Sequence, residues 1–280
     1  MANYARRKLL DFALYVACAL SVLLALLPLS SVLGYVFVRG VGGLSWAFFS
    51  ELPRPIGEAG GGMAHALWGS VQVLGIACAL GVPVGVLAGV HLAEFGSSRL
   101  STAVRLAADV LAGVPSIAVG LFVYALMVLT TQRFSAWAGG VALSVLMLPG
   151  VVRTTEEMLK LVPESLREAA LGLGVSRFRT CLHVLLRTAA PGIGVGIMLS
   201  VARVAGESAP LLFTAFNNRF WAESLSEPTA TLPVNIYTDA VSPYDEWHQR
   251  AWTCALVLVT LILILSSIAR WLTRSRAGAS

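Results

Sequence analysis

With 57% apolar residues and only 12% charged ones over 280 positions, the chain has too little polar surface to cover a core in water. That balance excludes a disordered chain, a nucleic-acid binder built on basic patches, and most soluble enzymes. The excess of Lys and Arg (20) over Asp and Glu (15) must be read by position, because membrane proteins distribute cations asymmetrically.

A helix needs about 20 mostly apolar residues to cross a bilayer. Five runs contain no Asp, Glu, Lys or Arg: Phe12 to Val38, Ala59 to Ala93, Val110 to Gln132, Phe134 to Val152, and Ala251 to Ala269. A sixth, Thr188 to about Phe213, is apolar except for Arg203 and Glu207. The pattern predicts an all-α integral membrane protein with six transmembrane helices and both termini on one side. Fourteen of the 20 cations fall at the two ends and in the segments after the second and fourth spans, which places that side in the cytoplasm.

Arg6-Arg7-Lys8 ahead of an apolar run resembles the start of a signal peptide, but the run far exceeds the roughly 7–15 residues of an h-region. No small-x-small cleavage site follows it, so it reads as an uncleaved first span. On the second span Gly81, Gly85 and Gly89 recur every four residues, a spacing that lets helix backbones approach closely. In the third, Asp109 reads as favouring a helix N-terminus near the cytoplasmic entry. Gly113 and Pro115 lie a few residues on. A proline inside a span frees backbone groups, tolerated only against protein or a water-filled cavity; a plain kink accounts for it equally well.

The segment 153–187 is charged in a chain that otherwise avoids charge. It reads as two short helices. Thr154 or Thr155 caps the first, with Glu156 and Glu157 in its opening turn, and the run resumes at Pro163 through Leu171. Gly172 and Gly174 break it. Ser176 caps a second helix, Arg177 to Arg187, on which Phe178, Leu182, Leu185 and Leu186 form an apolar stripe. Stripes on helices outside the membrane need a partner.

On the fifth span Arg203 and Glu207 are four apart and share a helix face. An arginine at the bilayer centre costs about 2.5–3.5 kcal/mol on insertion scales. Fifteen residues from Thr188, or roughly 22 Å, put Arg203 past the midplane. One reading is a self-neutralising ion pair. The other is a substrate path in which the guanidinium holds a passing oxyanion and Glu207 holds the guanidinium when the path is empty. The outer loop Phe216 to Arg250 carries Glu223, Glu227, Asp239, Asp245 and Glu246, with Trp221, Tyr237, Tyr244 and Trp247 as interfacial anchors.

Four cysteines (Cys18, Cys78, Cys181, Cys254) and four histidines (His65, His91, His183, His248) show no metal-ligand spacing, and no catalytic constellation is legible. No GxxxxGK[ST] run occurs, so the chain carries no nucleotide-binding loop of its own.

Two segments carry a family resemblance. Glu168-Ala169-Ala170, three residues, Gly174, and a spacer to Pro191 resemble the EAA loop of ABC-importer permeases, with Arg187-Thr-Ala-Ala-Pro191 replacing that pattern's apolar end. Ala202-Arg203-Val204-Ala205-Gly206-Glu207-Ser208-Ala209-Pro210-Leu211-Leu212-Phe213-Thr214 is similar to a segment of the phosphate-importer permeases. So is Asp109 through Gly113, Pro115, Ser116 and Ile117. Leu232 to Tyr237, Ser242-Pro243-Tyr244, Trp247 and Ala251-Trp252 resemble one of that family's two paralogous subunits more than the other, PstC.

The resemblance implies the ABC type I importer permease fold. Residues 1–65 would hold the N-terminal segment, first helix and outer loop. Residues 66–272 would form the five-helix core with its coupling loop 153–187, and residues 273–280 a cytoplasmic tail. It implies a heterodimer with PstC, two copies of the ATPase PstB, and the extracytoplasmic phosphate-binding protein PstS. No cofactor is expected on this chain; ATP and Mg belong to the ATPase. Arg203, Glu207, Pro115 and Ser116 are the implied substrate-pathway residues. Glu168, Ala169, Ala170 and Gly174 are the implied ATPase-coupling residues. The implied location is the cytoplasmic membrane of a bacterium or archaeon. Other readings are a permease for sulfate or molybdate, an ATPase-independent anion transporter, or a membrane scaffold without substrate.

Overall fold

A computed structural model describes residues 2–55, 57–58, 60–96 and 98–277. Among them every regular element is helical. They are α1 (Ala2–Val41), α2 (Trp46–Ser50), α3 (Ala64–Glu94), α4 (Arg99–Gly113), α5 (Ser116–Thr131), α6 (Ala136–Lys160), α7 (Glu164–Gly172), α8 (Arg177–Ala205), α9 (Ala209–Leu212), α10 (Leu232–Ala240) and α11 (Asp245–Ala277). Helices α1, α3, α6, α8 and α11 are long and apolar enough to cross a membrane. The pair α4 and α5, bent by 106°, is apolar enough only when taken together, and counted as one broken span it brings the number to six. Ala59, at the head of the second apolar run, and residues 278–280 of the expected tail lie outside the described residues; α11 runs on through Ala277.

The core is built on α3 against α6. Gly81, Gly85 and Gly89 lie against Met147, Val151 and Thr155, so the four-residue glycine repeat is a packing stripe. From α6 the other way, Gly140 receives Ile76. The buried apolar cluster around these contacts takes Val73, Ile76, Leu143, Met147, Val151, Val201, Val204 and Leu211. With no hydrophobic drive between helices in lipid, such close backbone approach supplies the packing that holds spans together.

Helix α8 runs antiparallel to α6. Gly192 faces Met158, Gly196 faces Thr154, and Ser200 faces Gly150. Helix α1 leans on α11 only through its final turns. Tyr35 meets Trp252 edge to face at 5.0 Å, and the Gln249 amide donates to the Arg39 carbonyl at 2.7 Å. From Arg6 to Gly34 α1 is exposed.

The sequence places Asp239 on an acidic outer surface, but it is buried. Arg250 donates to its two oxygens at 2.7 and 2.8 Å, fastening α10 to α11. The guanidinium groups of Arg219 and Arg250 both lie over the Trp247 ring, 5.1 and 5.0 Å from its centroid.

Candidate functional site

Three features expected from the sequence belong to the site: a broken third span, a charged fifth span and a charged loop. The third span breaks rather than kinks. Pro115 has φ −57° and ψ 134°, and the extended backbone at Val114–Pro115 ends α4 and starts α5 at Ser116. A residue before proline avoids the helical region, so the break follows from the sequence. Helix α5 therefore opens six residues into the expected run; the Ala118 and Val119 amides bond the Pro115 carbonyl at 2.9 and 3.4 Å, and those of Ser116 and Ile117 have no partner within the helix. It packs on α9 so tightly that a Cβ on Gly120 would fall 2.6 Å from Pro210 Cα. The two interrupted segments, one after Pro115 and one after Gly206, are thus neighbours.

Asp109 does not favour a helix N-terminus. It sits late in α4, where it pairs with Arg153 of α6. One turn earlier Arg105 pairs with Glu156 at 2.7 Å and donates to the carbonyls of Gly96 (3.0 Å) and Leu92 (3.3 Å). Lys160 reaches the same Glu156 oxygen at 2.6 Å. Helix α4 is thereby clamped to α6 and to the end of α3. The sequence reading missed this hub because it gave Thr155 and Glu156 to a new helix. They belong instead to an unbroken α6 and are buried. The signal was present: Thr155 continues the stripe Met147, Val151 at four-residue spacing, and Glu156 stands four before Lys160.

Arg203 lies in the last turn of α8, and Gly206 caps that helix. Glu207 therefore stands beyond the helix end, and no salt bridge joins the two side chains. The expected shared face is not formed, and neither is the self-neutralising pair. Arg203 is exposed on a face it shares with Leu199, and Glu207 is half-buried. The α6–α8 register sets Arg203 level with Met147, six residues or roughly 9 Å from Arg153. It lies near the middle of the charge-free run 134–152, toward its cationic end. A cation in the last turn gains about 0.3–1 kcal/mol from the helix dipole. That is too little to offset its cost in hydrocarbon, so this face needs water, an anion or a protein partner.

The loop helix α7 begins after Pro163, as expected. It ends in a Schellman motif: the Gly174 amide bonds the Leu171 carbonyl at 2.9 Å and the Val175 amide bonds Ala170 at 3.1 Å. Gly174 has φ +79°, with nothing within 4 Å of a built Cβ, so conformation and not space requires glycine there. Ala170 is turned inward at 8% exposure while Glu168 and Ala169 face out. Only part of the small-residue surface is therefore free for another protein. Leu173 (84% exposed) and Phe178 (75%) add apolar surface beside it. The second loop helix does not stop at Arg187. It continues through a wider turn at Thr180–Leu185 and through Pro191 into the fifth span, and Leu185 of its stripe is buried against Leu159, Ala189 and Ile193. Arg167 ties α7 to the last residue of α3, donating to Glu94 at 2.7 Å.

The model for the family described as "Binding-protein-dependent transport system inner membrane component" matches residues 81–278. Curated relatives include the phosphate transport system permease protein PstA of Yersinia pestis, 46% identical over 83% of this chain and 79% of that one. The PstA of Xylella fastidiosa is 43% identical over 95% and 93%. PstA 1 of Mycobacterium tuberculosis is 40% identical over 89% and 81%. Among solved structures, a bacterial alginate ABC transporter in complex with its alginate-bound periplasmic protein aligns with a TM-score of 0.67 at 13% identity, over 95% of both chains. An inward-facing MetNI methionine ABC transporter aligns at 0.63 and 19%, over 76% and 95%. These last two likenesses speak to the fold alone, which is that of type I ABC importer permeases. The chain belongs to the inner membrane components of binding-protein-dependent transport systems and, within them, to the PstA permeases.

Proposed function

We infer that this chain is a permease subunit of an ATP-driven importer of inorganic phosphate. It is a transport component rather than an enzyme. The observation that carries the reading is Arg203: a guanidinium level with the middle of the spans, exposed on its own chain and without an ion-pair partner. A desolvated guanidinium binds a phosphate oxyanion through two parallel hydrogen bonds, and in the empty path it needs water or a partner surface. The substrate carried by the relatives, named in their titles, supports phosphate over sulfate or molybdate.

Phosphate passes between this chain and a paralogous permease of the PstC kind. The amides opening α5 at Ser116, released by the Pro115 break, offer it donors along the way. Glu207 stands beyond the end of α8. A carboxylate so near along the chain weakens the hold on an anion and lets it leave, which a transporter requires. Both termini lie in the cytoplasm with the cationic end.

Glu168 and Ala169 face an ATPase of the PstB kind. Ala170 and Gly174 shape and end the helix that presents them. ATP and Mg reside on that partner, and a phosphate-binding protein of the PstS kind delivers substrate outside. Nucleotide-driven closure of the ATPases favours one arrangement of the spans over another through differential contacts.

The test is reconstitution of the chain with the paralogous permease, ATPase and binding protein in proteoliposomes. Labelled phosphate is expected to accumulate only with internal ATP and to resist competition by sulfate and molybdate. Accumulation without the ATPase, or equal competition by sulfate, would overturn the reading.

A further inference from the structure

Glu94 is the last residue of α3, and its side chain is 14% exposed. One carboxylate oxygen accepts from Arg167 of α7 at 2.7 Å. The other is buried and accepts no hydrogen bond. Among the described residues this ion pair is the one that joins α7 to a membrane-spanning helix; α7 also rests on the wider turn Thr180–Leu185 near the start of α8. Glu94 and Arg167 line a polar cavity of about 260 Å³ together with Glu164, Leu171, Arg177 and Thr180; Glu164, on α7 itself and 70% exposed, lies 3.4 Å from the Arg167 guanidinium and is the solvated one of the two carboxylates. Arg177, at the start of α8, makes no ion pair, and the Thr180 hydroxyl is buried without a partner.

A carboxylate this buried is costly to leave without a cation. A helix that couples two proteins must nevertheless move relative to the spans. The two demands are compatible when a second cation waits in the same cavity. Arg177 is that cation, and it heads the helix whose last turn carries Arg203.

We propose that Glu94 is a positioning residue for energy coupling: it holds Arg167 of the loop helix in one state and takes Arg177 in the other. The exchange keeps the carboxylate paired throughout. It links displacement of α7 to the base of α8, and so to Arg203, through a two-position element rather than a rigid rod. This rests on the ATP-driven reading above.

The test uses the assembled complex with its paralogous permease and ATPase. With Glu94, Arg167 and Arg177 kept, cysteine pairs at the exposed neighbouring positions 95 and 166, and 95 and 178, are bridged with a short bismaleimide, without nucleotide and in a nucleotide-trapped state. The ratio of the two cross-links is expected to change about five-fold or more between states, the scale of a typical coupling free energy. An unchanged ratio overturns the exchange. In parallel, phosphate moved per ATP is expected to fall about five-fold or more in Glu94→Gln and in Arg177→Gln. The double reversal E94R/R167E is expected to stay impaired, and the triple E94R/R167E/R177E to recover. Recovery in the double reversal alone would mean a fixed strut and would also overturn the exchange. A wild-type complex that takes up no phosphate with ATP sinks the functional reading itself, whereas an active one with an unchanged cross-link ratio sinks only the exchange.

Discussion

Arg203 and Glu207 are four residues apart in sequence and yet make no ion pair, because Gly206 ends α8 between them. Neither side chain stabilises the other in this conformation. Glu207→Gln is therefore expected to leave thermal stability within about 0.5 kcal/mol of wild type, as for a substitution away from buried networks. Melting of the detergent-purified chain checks this; a loss of several degrees would mean that a pair forms in solution.

The glycine stripe of α3 gives a sharper contrast. A Cβ at position 89 would meet Thr155 Cβ at 2.5 Å and the Val152 carbonyl at 2.7 Å, neither of which can swing aside. Gly89→Ala is expected to cost about 1–3 kcal/mol, the range for overpacking. Gly75→Ala, on the same helix with nothing within 4 Å, is expected to be neutral or slightly stabilising. Equal melting temperatures for the two variants would contradict the packing described.

At the end of α7 the cost is conformational. Gly174→Ala is expected to lose about 1 kcal/mol from its left-handed backbone, with Gly174→Asn milder. Hydrogen exchange of the Gly174 and Val175 amides is the readout. Faster exchange confined to this turn is the predicted result, and wild-type protection in Gly174→Ala would rule out the motif.

Glu156 is shared by Arg105 and Lys160 and is 3% exposed. Glu156→Ala is expected to cost about 2–3 kcal/mol, below the usual 3–5 for a broken buried pair, because Arg105 keeps two carbonyl partners and Lys160 is largely solvated. Thermal melting measures it. A change under about 0.5 kcal/mol would show that the hub does not hold α4 to α6.

How much of this was legible depended on the length of the signal. Apolar runs of span length marked every membrane helix, and the spacing of Gly81, Gly85 and Gly89 marked the closest helix pair. Pro163, Gly172 and Gly174 bounded α7 because turn chemistry is local. Helix ends beyond the membrane were less legible. Nothing local stops α6 at Val152 or α8 at Arg187, so charged residues read as loop became helix. The third span misled most: composition cannot distinguish one bent run from a half-helix turned through 106°. The Arg203–Glu207 spacing misled for the opposite reason, since helical periodicity was extended across Gly206. Ion pairs between distant segments, such as Arg105 with Glu156 and Glu94 with Arg167, leave no periodic trace.

The most direct measurement of the account is phosphate uptake by the reconstituted complex carrying Arg203→Gln, with assembly verified by co-purification of the ATPase. Loss of a charge-assisted, two-pronged contact predicts uptake at least about ten-fold below wild type, with assembly intact and Arg203→Lys in between. Uptake within two-fold of wild type in a fully assembled Arg203→Gln complex would contradict the central claim that phosphate passes this guanidinium.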